Sequence, residues 1–286
     1  MFSNMLEYLE ATADRVPERT AFYDDRETLT YAVLLEAAQR IGSALSETAA
    51  PGSAVALLLD ARSIRNIPAL YGVLYAGCAY APLDISMPPE RLRQLLELLS
   101  PSTILTDERG ERALRQLDFA FSHVLDYGAA AEHSIDKVKL EMIRRHSSVY
   151  DPMSILYTSG STGVPKGSIQ THFSYLHWTQ ATIETYNFDE TVLFGNQSPF
   201  FYANSIIDIF PPVALGATVY LLPAGVLTFP KKLIECLNRE HVTELTMTPS
   251  SFAVAVNAGV LTSGCLPELR YGIMSGESMS WPPLKA

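Results

Sequence analysis

The stretch 157–167, YTSGSTGVPKG, combines residue types that bind phosphate groups. It holds Ser and Thr hydroxyls, several glycines and one lysine. Glycine lets the backbone come close to a ligand, N–H groups and hydroxyls donate hydrogen bonds, and an ammonium group neutralises charge. The apolar run just before it, 153–157, is typical of a short buried strand. A strand that leads into such a stretch indicates nucleotide triphosphate chemistry.

Two other interpretations of this stretch are weaker. The P-loop of the common NTPases needs Gly-x-x-x-x-Gly-Lys-Ser/Thr. Counting from Gly160, Pro165 stands where the second glycine belongs and Gly167 where the Ser/Thr belongs. Because proline has no N–H to give a phosphate, this pattern disfavours a Walker cradle. A flexible Gly/Ser linker is also disfavoured, since linkers rarely carry an ordered Thr-Gly-Val-Pro-Lys-Gly after a buried strand.

The stretch resembles the phosphate loop of the adenylate-forming family. That family comprises acyl-CoA synthetases, luciferases and the adenylation domains of nonribosomal peptide synthetases. Further segments resemble the family in the same order, namely 29–31, 75–84 with 89–92, 196–210 and 271–279. The residues of these segments are most similar to those of the amino-acid-activating branch, which comprises peptide synthetase adenylation domains and D-alanine–carrier protein ligases.

The resemblance implies a reaction in which a carboxylate attacks the α-phosphate of ATP, giving an acyl-adenylate. The acyl group then passes to a thiol, usually the phosphopantetheine arm of a carrier protein. The residues that it implies for the β- and γ-phosphates are Thr158, Ser159, Ser161, Thr162 and Lys166, with Gly160, Gly163 and Gly167 allowing close approach. It implies backbone contacts to the adenine from Ser275, Gly276 and Glu277. It assigns no catalytic residue to this chain.

The acid-binding positions depart from the family. Those carried over are Ala203, Asn204, Ile207, Met247, Ile273 and Ser275. The amino-acid-activating branch reads Phe-Asp-x-Ser at this point, and its Asp binds the α-ammonium of the substrate. Here Ala203 takes the place of that carboxylate. A buried ammonium without a counter-charge is unfavourable, so two explanations stay open. The acid lacks an α-amine or is a β-amino acid held differently, or this copy no longer selects amino acids.

The resemblance also covers only part of a family member. The segments that hold Mg²⁺ and the ribose, and the small C-terminal domain, have no equivalent here. We therefore expect the N-terminal core of an adenylate-forming enzyme, with at most weak ATP binding and no measurable adenylation alone. The alternative is a non-catalytic truncated remnant, or a half that needs a complementing chain or a homodimer.

Composition excludes several classes of protein. The net charge of −10 argues against nucleic-acid binding. With 48% hydrophobic and 18% charged residues, the chain can bury a sizeable core. No secretory signal is visible, and three widely spaced cysteines indicate reduced thiols in a cytoplasmic protein. The uncharged run 209–230 contains four prolines, so we interpret it as a helix and a strand rather than a membrane span.

Hydrophobic patterning predicts alternating helices and short apolar strands. Helices are expected at 33–45, 64–76, 89–99, 137–145, 173–186, 205–215, 231–239 and 250–258. Strands are expected at 54–59, 103–106, 153–157, 192–195, 217–222, 244–248 and 269–274. This alternation predicts an α/β fold of stacked, mostly parallel sheets flanked by helices. It allows one incomplete adenylation core over 1–286, with possible lobes 1–186 and 187–286.

Overall fold

The computed structural model describes residues 2–117, 121–158 and 165–278 of the 286-residue chain. The helices are α1 (Leu6–Arg15), α2 (Tyr31–Leu45), α3 (Asn66–Tyr75), α4 (Pro89–Leu99), α5 (Glu108–Leu114), α6 (Tyr127–Ala131), α7 (Lys137–His146), α8 (His172–Tyr186), α9 (Phe210–Leu215), α10 (Pro230–Arg239) and α11 (Pro249–Asn257). The strands are β1 (Thr20–Tyr23), β2 (Thr28–Thr30), β3 (Ala54–Leu58), β4 (Ala79–Pro82), β5 (Thr103–Thr106), β6 (Val124–Asp126), β7 (Pro152–Thr158), β8 (Lys166–Thr171), β9 (Leu193–Asn196), β10 (Thr218–Leu221), β11 (Glu244–Met247) and β12 (Tyr271–Met274). Two 3₁₀ helices occupy Ala203–Asp208 and Val226–Thr228.

The chain forms two compact units. Unit 1 consists of Met1–Pro17 and Tyr31–Trp178, and unit 2 of Glu18–Thr30 and Thr179–Ala286. Each unit is built on a mostly parallel sheet with helices on it, which confirms the α/β fold expected from the alternation of elements. The contiguous lobes suggested by the sequence stay a prediction. In the structure an early strand pair, β1 and β2, belongs to the sheet of unit 2.

The sheet of unit 1 has the strand order β6-β5-β3-β4-β7-β8. All neighbours run parallel except β7 and β8, which form an antiparallel hairpin. The central strand β3 is a continuous apolar run that is almost entirely buried, as expected for a parallel strand covered on both faces. The carboxyl ends of β3, β4, β5 and β7 therefore lie at one edge of the sheet, where α/β proteins commonly bind ligands.

Two glycines let α2 and α3 pack closely in unit 1. A Cβ added at Gly42 would lie 2.5 Å from Cβ of Tyr75, and one added at Gly72 would lie 2.5 Å from Cγ2 of Ile41. Real Cβ atoms do not approach so closely, so a larger residue at either position would push the two helices apart.

Aspartates begin three helices between 107 and 152, of which the sequence patterning predicted only the last, at 137–145. Asp107 accepts hydrogen bonds from N–H groups of α5, Asp126 from α6 and Asp136 from α7. Such caps satisfy backbone donors that have no partner inside the helix. They fix α5 and α6, which are too short to show a hydrophobic period.

The sheet of unit 2 has the order β12-β11-β9-β10-β1-β2 and is parallel except for the β1–β2 pair. The single helix predicted at 205–215 is wrong, because the structure has the 3₁₀ helix Ala203–Asp208 followed by α9. Pro211 and Pro212 explain the break, since proline is tolerated only in the first turn of a helix. Among the residues described, no helix combines the length and the apolar character that crossing a bilayer requires.

Candidate active site

A hairpin brackets the predicted phosphate-binding stretch. Thr158, at the end of β7, is the register partner of Lys166, at the start of β8. Since β7 runs parallel to β4, the chain leaves β7 at the carboxyl edge of the unit 1 sheet. The predicted phosphate residues Ser159, Gly160, Ser161, Thr162 and Gly163 fall between these strands and lie outside the described residues. The hairpin itself had no counterpart in the sequence patterning, because β8 is polar and largely exposed.

Gly167 has a packing role in this hairpin. A Cβ added at Gly167 would lie 3.1 Å from Cγ2 of Ile155 and 3.3 Å from Cε1 of Tyr157. These distances are tighter than ordinary van der Waals contact, so the two strands approach closely because residue 167 has no side chain. Beside it, Lys166 is exposed and forms no ion pair with any other residue that the structure describes.

His172, which follows the hairpin at the start of α8, is buried inside unit 1. Its Nδ1 accepts a hydrogen bond from the N–H of Met5 at 3.2 Å. Burial, and then the nearby Arg144 guanidinium, lower the pKa of His172 to about 4, while Asp151 opposes the shift. The neutral imidazole therefore holds the segment before α1, which supports a structural role for this residue.

The His172→Gln variant should be less sensitive to acid than the parent chain. An imidazole with a pKa lowered from 6.5 to about 4 contributes stability that is present above pH 6.5 and lost as the pH falls toward 4. The shift corresponds to about 3 kcal/mol. Urea unfolding at pH 7.5 and pH 4.5 measures the difference. His123→Gln, at an exposed position, is the control and should leave the acid sensitivity of the parent unchanged. Equal acid sensitivity in His172→Gln and the parent would contradict this account.

The turn after β12 in unit 2 carries the predicted adenine-side residues. The Ser275 N–H donates to the Met247 carbonyl at 3.1 Å, which continues the pairing of β11 and β12. The Asn204 amide donates to the Ser275 carbonyl at 3.0 Å, and the Ser275 hydroxyl donates back to Oδ1 of Asn204 at 3.3 Å. The structure thus brings together Asn204 and Ser275, two of the predicted acid-binding residues.

The contact between the Ser275 turn and Asn204 requires glycine at position 276. Its φ is +100°, in a region that residues with a side chain rarely adopt. A Cβ on it would also lie 2.9 Å from Nδ2 of Asn204. The turn therefore passes close to the 3₁₀ helix Ala203–Asp208 only because residue 276 is glycine.

The Glu277 side chain is used within unit 2. Its Oε1 accepts a hydrogen bond of 2.7 Å from the N–H of Ser250, in the first turn of α11. Hydrogen bonding from the Ser250 side chain, and then from its N–H, lowers the pKa of Glu277, as expected for an anion at a helix N-terminus. Thr248 caps the same helix by accepting from the Ser251 N–H. The side chain of Glu277 thus fixes the turn to α11 and leaves its backbone for other contacts.

The remaining predicted acid-binding residues lie in different surroundings. Ala203 is exposed at the start of the 3₁₀ helix, whereas Ile207, in the same helix, is buried. Met247 packs in an apolar cluster with Leu233 and Leu245. Thr246 pairs in register with Ile273, and side chains alternate along a strand. Ile273 therefore shares a face with Thr246, whereas Met247 faces the opposite side of the sheet. The Met247 carbonyl accepts from the Ser275 N–H, so Met247 reaches the turn through its backbone, and its inclusion among the acid-binding residues stays a prediction.

A buried polar cluster beneath the 3₁₀ helix was missed by the sequence analysis. Asn196 donates to Oδ2 of Asp208 at 2.9 Å, and Thr246 donates to Oε1 of Glu244 at 2.7 Å. The Gln197 amide donates to the Thr246 carbonyl at 3.1 Å. The available signal was Glu244, a charged residue at the start of a short strand in which every residue is buried.

The predicted site residues are thus divided between the units. Thr158, Lys166 and Gly167 belong to unit 1, and the adenine-side and acid-binding residues belong to unit 2. Each group lies where a parallel strand ends, after β7 in one unit and after β12 in the other. Among the described residues, no group of three or more His, Cys, Asp or Glu side chains is arranged to hold a metal ion.

Comparison with known proteins finds one family over nearly the whole chain. The profile of the AMP-binding enzyme family matches residues 9–285. Malpinin synthetase of Mortierella alpina is 30% identical over 264 residues, which is 90% of this chain and 3% of that protein. A D-alanine–D-alanyl carrier protein ligase of Bacillus velezensis is 28% identical over 276 residues, covering 96% of this chain and 54% of the ligase. The chain therefore spans about half the length of the carrier protein ligases it matches.

Solved structures have the same fold. The nonribosomal peptide synthetase FmoA3 matches 97% of this chain and 29% of its own, with a TM-score of 0.82 and 27% identity. The N-terminal domain of FACL13 from Mycobacterium tuberculosis matches 99% of this chain and 72% of its own, with a TM-score of 0.83 and 19% identity. At that lower identity, the second match shows the fold alone.

Proposed function

Because this chain belongs to the AMP-binding enzyme family, we propose that it supplies the N-terminal ATP- and acid-binding part of a carboxylic-acid-activating ligase. The reaction would form an acyl-adenylate from ATP and the acid. The acyl group would then pass to the phosphopantetheine thiol of a carrier protein. The carrier protein ligase of Bacillus velezensis supports this acceptor by its name.

The observation that carries this proposal is the β7–β8 hairpin. It opens at the carboxyl edge of a parallel sheet and brackets the Gly/Ser/Thr stretch between Thr158 and Lys166. The exposed ammonium of Lys166 suits it for the β- and γ-phosphates, which carry most of the negative charge of ATP. FmoA3, which shares this fold at 26% identity, has been solved with bound AMPPNP.

The turn of unit 2 would receive the adenine and the acid. The N–H and carbonyl of Ser275 are engaged with Met247 and Asn204, and the side chain of Glu277 is engaged with Ser250. We therefore expect the backbone of Gly276 and Glu277 to make most of the contacts to the base. ATP and Mg²⁺ are the cofactors that we propose for the reaction. Bound ATP and Mg²⁺ would supply the activated phosphate, and these residues would hold and orient it.

The substrate proposed is a carboxylic acid, either an amino acid or an analogue that lacks the amine. FmoA3 has been solved with α-methyl-L-serine-AMP, which supports an amino-acid-like acid. Ala203, however, offers no carboxylate at the position where the family resemblance places the ammonium ligand. This difference favours an acid without an α-amine, such as an aryl or hydroxy acid.

The Lys166→Ala variant should separate phosphate binding from adenylate binding. Loss of a charge-assisted contact worth about 1.5–3 kcal/mol should lower the affinity for AMPPNP by roughly 10- to 100-fold. An acyl-sulfamoyl-adenosine has no β- or γ-phosphate, so its affinity should stay within about twofold of the parent value. Isothermal titration of both ligands measures the two effects. Lys231→Ala, an exposed lysine of unit 2, is the control and should change neither affinity.

The same titrations test the proposal against its alternative. A non-catalytic remnant would bind neither ligand saturably, and that result would contradict the proposed function. A half that needs a complementing chain would bind weakly alone. We expect weak binding and no carboxylate-dependent pyrophosphate exchange from the chain alone, and exchange by the purified chain would refute this second expectation.

A further inference from the structure

Two carboxylic acids are buried together in unit 2 without a cation. Asp208, the last residue of the 3₁₀ helix Ala203–Asp208, is 1% exposed. Glu244, the first residue of β11, is 0% exposed. Burying an ionised carboxylate without a partner of opposite charge is strongly unfavourable. At least one of these groups therefore needs another way to lower its free energy.

Each acid has one satisfied oxygen and one unsatisfied oxygen. Oδ2 of Asp208 accepts from the Asn196 amide at 2.9 Å, and Oε1 of Glu244 accepts from the Thr246 hydroxyl at 2.7 Å. Oδ1 of Asp208 and Oε2 of Glu244 are buried and have no hydrogen-bond partner among the described residues. Buried polar atoms are rarely left in this state, so the two free oxygens need an explanation.

The strand register brings the two acids to one face of the sheet. Glu244 of β11 is the register partner of Phe194 on β9, and Asn196 lies two residues further along β9 on the same face. Asn196 is the residue that holds Asp208. The 3₁₀ helix also packs on both β9 and β11. Asp208 and Glu244 therefore lie in one buried layer on the same face of the sheet, near enough for the charge of Glu244 to act on Asp208.

The described elements that carry these two acids or contact them in the sheet contain no basic side chain. β9, β11, β12, α9 and the 3₁₀ helix contain no Lys, Arg or His. Their only other titratable side chain is Tyr271, the register partner of Glu244, and its hydroxyl donates to the Asn187 carbonyl at 3.5 Å. A proton shared between the two acids would satisfy their free oxygens, because a protonated carboxyl can donate to an ionised one.

We propose that Asp208 and Glu244 form a proton-sharing pair that positions the 3₁₀ helix of the acid pocket against the sheet. The pair joins the end of that helix to β11, and the helix carries Ala203, Asn204 and Ile207. Only the statement that this helix forms a wall of the acid pocket rests on the proposed function. The proton-dependent attachment of the helix to the sheet within unit 2 does not depend on it.

The pKa shifts agree in direction with this geometry. Burial raises the pKa of Glu244 to about 8. Burial, and then the neighbouring Glu244, raise the pKa of Asp208, while the Asn196 hydrogen bond opposes the shift. Between the ordinary carboxyl pKa and about 8, the pair keeps a proton while the 3₁₀ helix is attached to the sheet. When the helix is detached, the acids release that proton to water. Attachment of the helix should therefore weaken as the pH rises through this window.

Hydrogen exchange of the parent chain tests the proposal. Protection of the amides of Ser205 and Ile209, which donate within the 3₁₀ helix and at its end, should fall by up to tenfold per pH unit between about pH 5 and pH 8. The rates are first corrected for the intrinsic pH dependence of exchange. The amides of α10, in the same unit, are the internal reference and should show constant protection. Flat protection of Ser205 and Ile209 over this range would overturn the proposal.

The double variant Asp208→Asn with Glu244→Gln should remove this pH dependence, because neither amide can titrate. Glu244→Gln alone should retain part of it, since Asp208 stays buried. Glu190→Gln, an exposed acid of the same unit, should behave as the parent chain does. A double variant that keeps the parent profile would show that another group is responsible.

Infrared spectroscopy of the parent chain decides the question if the double variant does not fold. A carboxyl C=O band from a protonated acid should persist at pH 7 and disappear above pH 8. Two fully ionised carboxylates at pH 7 would contradict the shared proton.

Discussion

The Gly110→Ala variant is expected to lose on the order of 3 kcal/mol of stability, because its new methyl group has no room. An added Cβ at Gly110 would overlap the Leu58 carbonyl oxygen and the hydroxyl of Thr106. That hydroxyl donates to the same carbonyl at 3.0 Å, so the obstructing atoms belong to a strand contact between β3 and β5. Chemical denaturation of the variant and the parent measures the effect.

Gly272→Ala is the matched control for this prediction. It makes the same substitution in β12, where an added Cβ meets nothing within 4 Å and where φ is not positive. We expect it to change stability by no more than about 0.5 kcal/mol. A Gly110→Ala chain as stable as Gly272→Ala would mean that α5 moves away from the carboxyl edge of the sheet without strain.

The Ala203→Asp variant should acquire a preference for acids with an α-amine. Ala203 is exposed at the start of the 3₁₀ helix, one residue before Asn204, which holds the Ser275 turn. A carboxylate there would restore the counter-charge that the family resemblance places at this position. A charge-assisted hydrogen bond of 1.5–3 kcal/mol corresponds to roughly 10- to 100-fold in affinity.

The measurement is a ratio of two affinities in each chain. An aminoacyl-sulfamoyl-adenosine and its des-amino analogue are titrated into the parent and into Ala203→Asp. The ratio should shift toward the amine-bearing ligand in the variant, while Ala203→Asn, which has the same shape without the charge, should shift it little. An unchanged ratio in Ala203→Asp would place the amine elsewhere.

Most of the fold was predictable because it depends on strong local patterns. The helix at 89–99 and the strand at 103–106 were predicted with the bounds that the structure shows. An amphipathic stripe of leucines and a buried apolar run do not depend on distant partners. In contrast, β8 is polar and largely exposed, and only its antiparallel pairing with β7 makes it a strand. No pattern within 166–171 could have indicated that pairing.

The candidate site was predictable to the extent that short motifs describe it. The pairing of Asn204 with Ser275 joins residues 71 positions apart that the sequence analysis had assigned to one pocket. The sequence alone did not show which face of β11 carries the Met247 side chain. A strand alternates its faces, so a shift of one position moves a side chain to the other side of the sheet. Thr246 is the residue on the face of Ile273, and only the register of β11 with β12 reveals this.

The acid pair could not be inferred from the sequence. Asp208 and Glu244 are 36 positions apart, and each alone is compatible with a surface charge or a cap. Their shared burial follows from the packing of the 3₁₀ helix on β9 and β11. A lone acid in a strand that is expected to be buried indicates a buried polar contact, but the sequence does not show which residue is its partner.

The insertion of residues 18–30 into the second sheet has a consequence for how the chain folds. Phe22 of β1 pairs with Val219 of β10, across nearly 200 positions of sequence. Closing so long a loop is slow, because the chain loses entropy before the strand contact has formed to compensate for it. A ribosome must therefore release most of this polypeptide before its amino-terminal strand can find its neighbour, and a fragment that begins after Trp178 should lack β1 and β2 of its sheet.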